Sequence, residues 1–259
     1  TAYYIHILKD HTDLALGVLS DMMQNATFPE DELERERQVI IQEVNMYLDT
    51  PDDLVFDLAQ EAAYPDQALG APGLGKVDIL NRLQQADLFR YTRARYAPEH
   101  IVISAAGAVD HDVFVAKVAA SFTNLPAANS NGAVLSFAPA RFAPSASLIE
   151  KDTEQTHLVL GFHGIPRGDV RTHDIKILSN ILGGGTSSRL WQEIREKRGM
   201  VYSIYSYHET YVDDGQFGIY AGTSPENLPD MVPIMLAEIV KMRDGVTPQE
   251  VQRAKNQMI

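Results

Sequence analysis

Apolar residues recur every three or four positions along much of the chain, and the breaks fall on Pro, Gly, Asn and Asp. Over residues 13–25, Leu14, Leu16, Val18, Leu19, Met22 and Met23 mark an amphipathic helix. A turn at 26–29 leads to a second helix from Glu30 to about Leu48, whose acidic first turn suits the helix dipole and which Asp49-Thr50-Pro51 stops. A third helix is predicted over 52–63, and the Gly- and Pro-rich stretch 64–75 reads as loop. Helical spacing resumes over 77–83, 86–96 and 110–122, while residues 1–9 and 101–106 read as strands. After a weak stretch at 123–147, residues 148–149 and 157–162 are strand-like and 174–182 and 188–197 helical. Alternation over 201–211 and 216–223 around Asp213-Asp214-Gly215 predicts a hairpin, and helices follow over 225–242 and 248–259.

The two halves resemble each other. The segment 18–22 matches 235–239 at an offset of 217, and 33–35 matches 251–253 at 218. In each copy a strand feeds an amphipathic helix, a turn with Pro and a charged helix, which points to duplication. The expected class is α+β, as two units with helices packed on largely antiparallel sheets.

Composition narrows the chemistry. The chain of 259 residues carries a net charge of −13, a poor match to nucleic acid or anionic lipid. It has no cysteine, so disulfides, Cys-ligated zinc, iron–sulfur clusters and a thiol nucleophile are excluded. No apolar run approaches the ~18 residues of a membrane span. The compartment stays open, with bacterial cytoplasm placed ahead of periplasm. The chain opens on Thr1 directly before an apolar run and closes within a helical pattern, so both ends read as cut and a longer parent protein is expected.

The second helix is the most informative element. At about 100° per residue, Leu33, Glu36, Ile40, Glu43 and Tyr47 fall on one stripe, which predicts two inward carboxylates. Such a pair is costly unless a cation meets it, either a metal or an Arg or Lys from a neighbour. The ordinary reading of Glu-Arg-Glu-Arg is a solvated face with i,i+4 pairs. The eight histidines include no His-Glu-x-x-His or His-x-x-Glu-His, so no complete zinc site is visible, and they read as surface or strand-end residues. Gly183-Gly184-Gly185 lacks the Gly-Lys-Ser/Thr ending of a phosphate loop and follows a helix, so a helix cap and connector is the expected role. Arg195 near a helix end and Tyr202 at the start of a strand are unremarkable one at a time.

Taken together, Gln24-Asn25-Ala26-Thr27-Phe28, the run from Glu34 to Glu43, the run from Gly183 to Leu190 and the run from Arg195 to Tyr202 resemble the M16 metallopeptidases. This is the pitrilysin and mitochondrial-processing-peptidase family, and the match is similar to its bacterial branch related to the processing-peptidase β subunit. The resemblance implies two homologous helix-on-antiparallel-sheet domains of the LuxS/MPP-like metallohydrolase type. Residues 1–128 would be the C-terminal part of the first, 129–146 a linker, and 147–259 the N-terminal part of the second. It implies zinc endopeptidase activity on unfolded peptides within a two-lobed chamber, as a homodimer or heterodimer with another M16 chain. Glu43 matches the family's distal zinc ligand, and Glu36 its supporting acid. Arg195 and Tyr202 match residues that face the substrate carbonyl. The glycine triplet is shorter than the family's glycine-rich loop. The His-x-x-Glu-His motif, with two zinc ligands and the general base, is absent and would lie before Thr1. The fragment alone is therefore expected to be inactive and to hold an incomplete zinc site. A non-catalytic M16-like partner or core subunit is the alternative.

Overall fold

A computed structural model describes residues 1–125 and 138–258 of the chain. Nine α-helices are found among them: α1 (Thr12–Gln24), α2 (Glu30–Leu48), α3 (Pro51–Ala63), α4 (Val77–Leu80), α5 (Gln85–Arg95), α6 (His111–Ser121), α7 (Thr172–Gly183), α8 (Leu228–Asp244) and α9 (Pro248–Gln257). Three strands are found as well: β1 (Thr156–His163), β2 (Val201–Thr210) and β3 (Gly215–Thr223). The class is α+β, as expected. The chain divides into two compact units, Thr1–Gln42 with Lys76–Ser136, and Glu43–Gly75 with Phe137–Ile259. Residues 129–137 of the expected linker lie outside the described residues.

The first unit is helical. Gln24 ties α1 to the end of α6, its Nε2 donating to the Ser121 carbonyl at 2.9 Å while its Oε1 accepts the Asn124 N–H at 2.7 Å. Arg37 of α2 donates to the carbonyls of Leu80 and Leu83, closing the segment around α4 against α2. Phe28 packs edge-on against Phe89 of α5, with ring centroids 5.2 Å apart. The strands expected at 1–9 and 101–106 do not form: both segments lack a ladder, and Val102, expected to be buried, is 93% exposed. A strand exists only through its partner, and alternation alone supplies none.

The second unit is built on an antiparallel sheet in the order β1-β3-β2. The central strand β3 is buried along its whole length. Side chains alternate with period two. Phe217, Ile219 and Ala221 join Leu182, Leu190, Ile194, Ile204, Met231 and Met235 in the main core, against α7 and α8. Each such aliphatic side chain contributes roughly 1.5–3 kcal/mol relative to exposure. Tyr220 points the other way and stacks on Phe56 of α3 at 5.4 Å, with Tyr207 edge-on to the same ring at 5.6 Å. Contact with the sheet through α3 groups residues 43–75 with this unit despite their place in the sequence. The strand expected at 148–149 is absent, and Leu148 is 83% exposed.

One ion pair fastens the helical edge of this unit. Arg189 grips Glu250 of α9 with two parallel bonds, Nε to Oε1 at 2.8 Å and Nη2 to Oε2 at 3.0 Å. Glu250 also closes the capping box of α9 with Thr247. Among the described residues no helix is long and apolar enough to cross a membrane.

Candidate functional site

Arg195 and Tyr202 come together through two local irregularities. Leu190 and Ile194, four apart, are fully buried and anchor the short helical segment that carries Arg195. Within it, Trp191–Glu196 winds as a π-helical turn. Such turns are rare and occur frequently at functional sites. Gly199, at φ 62°, ends the segment. Its N–H bonds the Arg195 carbonyl at 2.8 Å, and the Met200 N–H reaches the Ile194 carbonyl at 3.1 Å. A side chain on Cβ would strain that left-handed backbone, which explains the glycine.

The reversal feeds the chain straight into β2. There the register jumps between Val201 and Ser203, so Tyr202 has no opposite residue on β3. A bulge of this kind re-aims a side chain. Tyr202 is 75% exposed while its neighbour Val201 is buried. The outcome is a cationic and aromatic cluster. The Arg195 guanidinium carbon lies 5.2 Å from the Tyr202 ring centroid and 4.4 Å from that of Trp191. A guanidinium fork and a phenol side by side can both donate to one carbonyl oxygen.

The expected pair on α2 needs a correction. Glu36 and Glu43 are exposed, not buried. The inward face is formed by buried Val44 with half-buried Leu33, Ile40 and Tyr47, and the two carboxylates flank it. Angular position on a helix gives direction but not depth, which depends on what covers the face. The remaining charge on this helix follows the ordinary pattern: Asp31 and Glu32 pair with Arg35, and Glu34 with Arg37. Glu36 and Glu43 have no ion pair or hydrogen bond among the described residues. They lie seven positions apart on one face, roughly 10 Å along the axis. Each is an exposed carboxylate without a salt bridge among the described residues, and a carboxylate oxygen is a donor that zinc accepts. Among the described residues no group of three or more His, Asp and Glu gathers around a common point.

Three histidines serve structure. His163 Nε2 lies 2.6 Å from Asp214 Oδ1, and His157 Nδ1 lies 2.9 Å from the Tyr220 hydroxyl. His208 Nε2 accepts the Ile165 N–H at 3.3 Å. Burial and the charge of Lys176 push the His208 pKa down. The first glycine of the triplet is a packing residue, since a Cβ on Gly183 would stand 2.3 Å from the backbone nitrogen of Ser206 on β2. Trp191 was not singled out from the sequence. Its signal there was the Trp-x-x-x-Arg spacing, which places a ring and a cation on one helical face.

The chain was compared with known proteins. Residues 1–76 match the family description "Insulinase (Peptidase family M16)", and residues 82–258 match "Peptidase M16 inactive domain". Proteins named uncharacterized zinc protease from Bacillus subtilis and Rickettsia felis are each 39% identical over 259 residues. The match takes in 100% of this chain and 62% of each relative, so the chain spans less than two thirds of their length. Among solved structures, the peptidase M16 inactive domain from Pseudomonas fluorescens has a TM-score of 0.83 at 24% identity, covering 96% of this chain and 61% of that one. A Helicobacter pylori protease reaches 0.88 at 20% identity, covering 97% and 62%. A chain in the structure of Complex III2 from Candida albicans reaches 0.85 at 21%, also covering 97% and 62%. These three share the fold. With the two family matches taking in nearly the whole sequence, the chain belongs to peptidase family M16.

Proposed function

We propose that the full-length protein is a zinc-dependent endopeptidase that hydrolyses unfolded peptides inside a two-lobed chamber, formed with an identical or related M16 chain. The observation that carries this reading is the convergence of Arg195 and Tyr202, 5.2 Å apart, built by a π turn and a β-bulge within eight residues. Two costly irregularities, one carrying half-buried Arg195 and the other exposed Tyr202, are better explained by a ligand than by packing. Arg195 donates N–H bonds to the peptide carbonyl oxygen and Tyr202 its O–H. Two such donors stabilise the negative charge that builds up on that oxygen. Glu43 holds the metal as one ligand, and Glu36 supports that end of the site. Zinc, when bound, supplies Lewis acidity and an activated water. The remaining ligands and the general base are not among the described residues, so the 259-residue chain alone is expected to lack turnover.

The reading is tested on the full-length protein with R195A and Y202F. Each should lower kcat by about 10–100-fold while leaving zinc content unchanged. Wild-type turnover in both would defeat it. A second reading, a non-catalytic partner subunit, draws support from the description of the family that matches residues 82–258 as an inactive domain. A full-length protein that folds but neither binds zinc nor cleaves peptide would favour it.

A further inference from the structure

Arg195 is surrounded by acids that do not pair with it. Glu193, two residues before, is taken by Lys197 and by Arg198, whose Nη1 lies 2.9 Å from Oε2. Glu196, the next residue, accepts the Trp191 Nε1–H on Oε1 at 2.9 Å. The Arg195 side chain has neither an ion pair nor a hydrogen bond among the described residues. Its guanidinium lies instead over two aromatic rings, Trp191 at 4.4 Å and Tyr202 at 5.2 Å. Trp191 in turn is packed against the hydrophobic core.

We propose that Trp191 is a positioning residue for Arg195. Its indole face supports the guanidinium from one side, so the Arg195 donors stay free for a peptide carbonyl. The inference rests on the endopeptidase reading above. Stacking holds the arginine without consuming its N–H edge. The π turn makes this possible. Trp191 has to meet Arg195 at i+4 and Glu196 at i+5 together, and the wider i→i+5 winding brings both to one side.

Trp191 is the only tryptophan in these 259 residues, which gives a readout independent of turnover. In the full-length protein, emission is taken as the difference between wild type and W191F, and again between R195A and the R195A/W191F double variant. Stacking predicts that removing the guanidinium shifts or brightens the Trp191 component. Steady-state cleavage of an unfolded peptide then separates kcat from KM. W191L should lower kcat about tenfold with KM changed less than about twofold, and W191F, which keeps a ring face, should stay within about threefold of wild type. Adding W191L to R195A should cost little beyond R195A alone, because both act through one contact. Unchanged Trp191 emission in R195A overturns the inference, and so does wild-type kcat in W191L. If R195A itself turns over as wild type, the peptidase role of Arg195 fails, and the positioning role with it. That outcome is distinct from an R195A defect that W191L does not share. Should W191L fail to fold, the emission comparison still decides.

Discussion

The Arg189–Glu250 fork makes the stability of the second unit depend on acid in a calculable way. Glu250 has its pKa held down to about 2, against an ordinary value of 4.5. The Arg189 fork is the main cause, bonds from Thr247 add to it, and burial opposes it. The native state therefore binds this proton less readily than the unfolded chain. The stabilisation is complete above the unfolded value near 4.5 and is lost as pH falls from there toward 2. A difference of about 2.5 pH units corresponds to about 3.4 kcal/mol at pH 7. The Glu250 side chain is 16% exposed, and solvent screening brings this nearer 2–3 kcal/mol. At pH 3 roughly 40% of it remains by the same linkage. The perturbation is E250Q in the full-length protein, read by urea unfolding at pH 7, 5, 4 and 3. Glutamine imitates the protonated acid, so the variant should be about 2–3 kcal/mol less stable at pH 7, with the gap narrowed to about 1 kcal/mol at pH 3. R189M should flatten the same acid slope from the other partner. A gap between wild type and E250Q that stays constant from pH 7 to pH 3 would refute the reasoning.

Three further outcomes are expected. G183A forces a Cβ to within 2.3 Å of the Ser206 backbone nitrogen, so α7 must move off β2 and thermal stability should drop by about 1–3 kcal/mol, whatever nucleotide is present. F56A removes the ring that stacks on Tyr220 and meets Tyr207, and urea unfolding should show a loss of about 2 kcal/mol, reduced from a fully buried phenylalanine because Phe56 is half-buried. His208 has a lowered native pKa, so the unfolded chain takes up its proton first and stability declines as pH falls through 6.5. H208Q should remove that part of the slope, and an unchanged slope would put it elsewhere.

Much of the architecture was legible because helices and hairpins carry local signals. The apolar spacing from Leu14 to Met23 and the acidic start and Pro51 stop of α2 mark helices that form nearly where expected. The alternation either side of Asp213-Asp214-Gly215 gave β2 and β3. Residues 1–9, 101–106 and 148–149 have strand patterns yet no ladder, since pairing is non-local and their patterns name no partner. The face shared by Glu36 and Glu43 was legible; their exposure was not, because it depends on the covering layer. Arg195 and Tyr202 were singled out by the spacing of a family motif. The π turn and the bulge that join them are shifts of hydrogen-bond register, which composition does not encode. Trp191 escaped notice because a tryptophan at helical spacing usually signals core, and here it is core at its base and site at its face.

The central claim is that this chain supplies one ligand of a peptidase zinc site, and zinc per chain in the full-length protein, measured beside E43Q, tests it most directly. The account predicts about one zinc per wild-type chain and a sharp loss in E43Q at unchanged fold. A well-folded wild-type protein without zinc, or an E43Q variant that keeps it, would contradict the account.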